Sequence, residues 1–119
     1  MAPHFDAISA RFYQRLFEAD PALAPLFQHT NLAGLRHKLI VALGEMVRLL
    51  DEPERLVAVI APLGRRHAGY GVRERDYATG AVALIAAFRD VLGGTLTTEM
   101  EEGWRELHGL VSAVMIRAG

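Results

Sequence analysis

Apolar side chains return every three to four residues along almost the whole chain, and no stretch of useful length alternates apolar with polar. That period gathers them on one face of a helix, whereas a half-buried strand needs a period of two. An all-α chain is expected. Ile8, Phe12 and Leu16 form the first stripe, with Phe5, Tyr13 and Phe17 beside it. Leu32, Leu35, Leu39, Leu43, Met46, Val47 and Leu50 form the second. Tyr77, Ala81, Leu84, Phe88 and Leu92 make a third, and Trp104, Leu107, Val111, Val114 and Met115 a fourth.

Punctuation between the stripes sets the helix ends. The first helix is expected from about Pro3 to Ala19. Asp20 then caps a short helix with Pro21 at its first position, ending near Phe27. Residues 28–31 read as a polar loop, with Asn31 capping a helix from Leu32 to Leu50. Asp51-Glu52-Pro53 stops that helix and starts another, to about Ala61. Pro62 is expected to break it and open a separate short helix to Ala68, ended by Gly69 and Gly71. A long helix follows from Glu74 to Leu92, stopped by Gly93-Gly94. Thr98 and Glu101 have capping-box spacing at the head of a last helix running to about Arg117. Six or seven helices of unequal length in one domain, residues 1–119, are predicted.

Composition removes several function classes. The chain has no cysteine, so disulfides, zinc–thiolate sites, iron–sulfur clusters and thiol nucleophiles are out. Thirteen Lys and Arg against fourteen Asp and Glu, mixed along the chain, give a formal net charge of −1 and no basic run to attract nucleic acid. The longest apolar run, Gly80 to Phe88, is far short of the ~20 residues of a membrane span, and the N-terminus does not read as a signal peptide; a cytoplasmic location is expected. There is no phosphate-binding glycine loop. The only serines, Ser9 and Ser112, sit inside amphipathic helices. No two histidines flank a glutamate at metalloprotease spacing.

His67 lies seven residues after Ile60 and four after Leu63, on the apolar face of its helix. Periodicity alone fits a core histidine with a satisfied hydrogen bond. It also fits an axial haem ligand, since a neutral imidazole binds haem iron and its second nitrogen can reach a carbonyl near Leu63 or Gly64. Tyr13, between Phe12 and Leu16, reads equally as a core aromatic or as a donor aimed at a bound ligand. His4, His29, His37 and His108 read as solvent-facing or ordinary structural residues.

Several segments in a fixed order bear on that choice: Phe12-Tyr13-Gln14-Arg15-Leu16-Phe17, Asp20-Pro21-Ala22-Leu23 with Leu26-Phe27, Lys38-Leu39, Leu63-Gly64-Arg65-Arg66-His67, Tyr70-Gly71-Val72, Tyr77 and Trp104. Over nearly the whole chain they resemble the globin domain of bacterial flavohaemoglobins and their single-domain relatives, the Vitreoscilla type included. The resemblance implies a globin fold around a b-type haem, iron protoporphyrin IX, with His67 as proximal ligand. It implies Phe27 on the haem face, Leu39 on the distal wall, Lys38 and Arg66 near the propionates, and Leu63, Tyr70 and Val72 among the haem contacts. Tyr77 falls on the proximal side, and Tyr13 matches the distal tyrosine whose hydroxyl hydrogen-bonds the gas.

Three departures qualify the likeness. Leu35 stands where the family usually has glutamine, leaving Tyr13 as the lone distal donor. If the register slips by a little, His37 reaches the iron as a sixth ligand. The family's late glutamate, partner of the proximal histidine, falls at Gly119. The family's first helix is also missing, and a homodimer is one way to cover the apolar surface this leaves. The resemblance thus implies reversible binding of O2, NO or CO at a five-coordinate iron, with nitric oxide dioxygenation requiring an external reductase. A haem-based gas or redox sensor, or a haem-free globin-fold interaction module, are the rival readings.

Overall fold

The computed structural model describes residues 4–27 and 31–119, and among these there is no strand. Five α-helices carry the fold: α1 (Phe5–Ala19), α2 (Leu32–Arg48), α3 (Pro53–Gly69), α4 (Glu74–Leu92) and α5 (Thr98–Ala118). Two tighter 3-10 segments, Pro21–Phe27 and Gly93–Thr95, fill two of the connections.

The ends obey local chemistry. The Asp20 carboxylate accepts the Ala22 amide at 3.1 Å and turns the chain into the first 3-10 segment. Asn31 caps α2 by accepting from the amides of Ala33 and Gly34 at 3.0 and 3.4 Å, as its residue type predicts. Pro53 opens α3, where a missing amide proton costs nothing. Gly71, at φ +88°, and Gly93, at φ +53°, take left-handed turns that a side chain would resist.

Three expectations need correction. Pro62 does not end a helix: α3 runs unbroken from Pro53 to Gly69. The proline forfeits one hydrogen bond to Ala58, but Ile60 and Gly64, buried on either side of it, hold the helix together. The cap of α5 is Thr97, whose hydroxyl accepts from the Met100 amide at 3.1 Å, one residue earlier than the Thr98–Glu101 spacing suggests. Glu101 instead turns to Arg89 and Arg105. The stripe expected on α2 is too wide: only Leu43 of it is buried, Leu32, Val47 and Leu50 are exposed, and Leu49, just past the helix end, is buried in place of Leu50.

The core joins α1, α4 and α5 through aromatic rings. Trp104 meets Phe5 edge-on at 6.1 Å and Phe88 at 4.6 Å. α1 packs most closely on α4, and α3 on α5; α2 is carried mainly by α1. The buried Ser9 hydroxyl donates to the Arg36 carbonyl at 2.9 Å and pins the α1–α2 crossing. Segment Glu74–Thr95 is long and apolar enough to cross a membrane by length and composition, with mean hydropathy 1.2, which the short run Gly80–Phe88 did not suggest. Here it is the central helix, and Leu84, Ile85, Ala87 and Phe88 on it belong to the core.

Candidate haem-type site around His67 and Tyr13

His67 sits in the last turn of α3, half-buried. Its Nδ1 lies 2.7 Å from the Leu63 carbonyl one turn back. A carbonyl only accepts, so Nδ1 carries the proton and Nε2 keeps its lone pair. Burial lowers the pKa of the ring; the Leu63 bond opposes that shift, and the neighbouring Arg66 charge adds to it. The imidazole is therefore held neutral with one free nitrogen, the form a metal takes. Among the described residues no three His, Asp or Glu side chains converge on a metal-sized site, so His67 is a lone donor.

The turn after α3 is tied to this histidine. The amides of Tyr70 and Val72 both donate to the His67 carbonyl at 3.1 Å. Gly71 lies against Leu26, to which a Cβ there would stand at 3.6 Å, so the end of α3 meets the Pro21–Phe27 segment. Tyr77, in the first turn of α4, stacks on the His67 ring at 6.1 Å and 27°.

Tyr13 belongs to a second apolar cluster, separate from the main core, built on Leu16, Leu23 and Ala83. Its ring meets Phe12 at 5.0 Å, Phe27 at 6.0 Å and Phe17 at 6.4 Å. Burial pushes its hydroxyl up to about 12, so it stays protonated and able to donate at any ordinary pH. Tyr13 also lines an open groove of about 830 Å³ with Phe17, Leu32 and Arg36.

The sequence-derived residues thus fall into groups. His67, Leu63, Val72 and Tyr77 come together at the end of α3. Tyr13 and Phe27 come together between α1 and the first 3-10 segment. Leu35 and Leu39 are half-buried on α2, and Lys38, Arg66 and Tyr70 are exposed. His37 is exposed on α2, and His29 lies outside the described residues. Sequence reasoning passed over Phe17 as one more stripe residue; its contact with Phe27, at 5.4 Å, crosses from one element to the next. It also passed over His108, which is half-buried against Ser112, Nδ1 to hydroxyl at 3.0 Å, with its pKa lowered by burial.

The described fold thus defines a class of all-α protein with a neutral, carbonyl-oriented histidine at the end of α3 and a half-buried tyrosine among phenylalanines on α1. Residues 10–115 match the globin family, and the chain belongs to it. Its relatives include flavohemoproteins of Rhizobium meliloti, 30% identical over 117 residues, and of Xylella fastidiosa, 32% identical over 117 residues. Each match covers 97% of this chain and 29% of the relative, so the chain spans under a third of the curated relatives' length. A solved structure from Rhodothermus marinus, a carbene transferase engineered from a candidate nitric oxide dioxygenase, superposes with a TM-score of 0.86 at 32% identity. That superposition covers 94% of this chain and 78% of the other.

Proposed function

We propose that this globin holds a b-type haem on His67 and binds a diatomic gas, O2, NO or CO, on the side where Tyr13 lies. The residues fit the group. His67 offers one unprotonated nitrogen, set by the 2.7 Å bond from Nδ1–H to the Leu63 carbonyl, and this is the observation that carries the reading. Leu35, Leu39, Leu63 and Phe27 are half-buried, neither covered by protein nor free, which suits walls awaiting a large apolar ring. Lys38 and Arg66 are exposed cations able to pair with propionates. When bound, haem would supply an iron able to coordinate a diatomic gas.

The chain's own work is then plain. His67 holds the iron and stays neutral. Tyr13 gives one hydrogen bond from a hydroxyl that does not ionise at ordinary pH, and Phe12, Phe17 and Phe27 pack around its ring. Leu35 can donate nothing, so Tyr13 is the main anchor of a polar ligand. Similarity to flavohemoproteins and to the Rhodothermus marinus protein extends the proposal to nitric oxide dioxygenation, with electrons from a reductase.

A haemin titration of wild type and His67→Ala tests the reading. Wild type is expected to give a Soret band and a five-coordinate ferrous spectrum, with CO converting it to six-coordinate. His67→Ala is expected to lose affinity at least tenfold and to change the ferrous spectrum. Equal affinity and spectrum in the two proteins would remove His67 as ligand, and no Soret band in wild type would remove the haem.

A further inference from the structure

Tyr77 serves two places at once. It stacks on His67, and it also lines a half-open cavity of about 390 Å³ between α4 and α5. That size lies in the range of small-molecule sites. Nothing in the proposed gas chemistry uses this cavity.

Its chemistry is divided along its length. At one end stand Arg89 and Arg105, both paired with Glu101, so two cations share one carboxylate and the trio keeps one positive charge. At the other end stand Tyr77, His108 and Ser112, all uncharged and all able to hydrogen-bond. Burial lowers the His108 pKa and so keeps that end neutral. Between them the walls are Ala78, Ala81, Val82, Ile85 and Gly109, all without a polar side chain. From Arg105 to Ser112, α5 advances seven residues, about 10 Å.

We infer that this cavity binds an aromatic monocarboxylic acid with a para-hydroxyl group. The carboxylate meets the surplus charge of Arg105 and Arg89. The ring lies between Ala81 and Gly109, and the phenol reaches the His108–Ser112 pair, which both gives and takes hydrogen bonds. The site does not depend on haem, since no residue of it is an iron ligand.

The probe is para-hydroxyphenylpropanoate, titrated calorimetrically into the purified chain, with its primary amide as the uncharged control. One-to-one saturation is expected, with the amide at least tenfold weaker. Arg105→Gln is expected to weaken the acid about tenfold and leave the amide unchanged, the loss of one charge-assisted contact. Gly109→Phe is expected to abolish both by filling the cavity. A Cβ at Gly109 meets nothing within 4 Å, so this variant has room to fold, and a thermal melt verifies that it has. No saturation by millimolar acid, or undiminished binding in Gly109→Phe, or an acid-to-amide ratio unaffected by Arg105→Gln, would each overturn the assignment.

Discussion

A buried imidazole on a helix has two nitrogens and one backbone acceptor within reach, and at His67 that arithmetic leaves Nε2 free. The same economy governs Tyr13. Its hydroxyl is raised to about 12 by burial, so it remains a donor. A hydrogen bond to a ligand carrying partial charge contributes about 1.5–3 kcal/mol, or about ten- to a hundredfold in rate. Tyr13→Phe is therefore expected to speed oxygen dissociation from the haem-loaded protein by that factor, measured by stopped-flow displacement with CO. An unchanged off-rate would deny Tyr13 its role. Part of this site was legible in the sequence: Ile60 and Leu63 place His67 on an apolar face, and a carbonyl one turn back follows from helix geometry. The Tyr77 stack was not derivable from spacing, because it forms across the turn from α3 to α4 and depends on how those helices meet.

Helices α3 and α5 touch at a point where no side chain fits. A Cβ on Gly64 would stand 2.4 Å from the Met115 carbonyl oxygen and 2.6 Å from the Met115 Cα, both backbone atoms with nowhere to go. Gly64→Ala is expected to push α3 off α5 and destabilise the fold by about 1–3 kcal/mol. Haem affinity should fall too, because His67 rides on the displaced turn. Gly103→Ala is the control: its Cβ meets nothing within 4 Å, and removing a helix-interior glycine should stabilise by about 0.5–1 kcal/mol. Thermal melts of the two variants with opposite shifts are the expected outcome; a harmless Gly64→Ala would contradict the crossing. The helices themselves were readable from period and caps. Gly64 was not, since nothing local distinguishes a glycine that admits a distant helix from one that merely bends the chain. Pro62 failed as a helix end for a related reason: local propensity argues for a break, and burial of Ile60 and Gly64 outweighs it.

Across the whole molecule, charge is nearly balanced, so pH acts through particular groups rather than through net repulsion. Asp90 on α4 takes Arg11 and Arg15 of α1 at 2.7 Å each, and these two guanidinium groups hold its carboxyl far below the usual range. That clamp contributes stability above the unfolded-state carboxylate value and loses it only in strong acid. The histidines act sooner. Burial lowers His108 in the folded state, so on acidification the unfolded chain takes up that proton first. The unfolded state then binds more protons than the native one, and stability rises with pH. His108 therefore contributes fully above about 6.5 and progressively less as pH falls through the window below it. His67, lowered for the same reason, acts in the same direction. Melting temperatures of the haem-free chain between pH 7.5 and pH 5 are expected to fall well before carboxylates protonate. In His108→Gln the fall should be shallower but not absent, because His67 still contributes. Identical slopes in the two proteins would mean that His108 takes up its proton as readily folded as unfolded, and that the interior between α4 and α5 is wet enough to hold a charge.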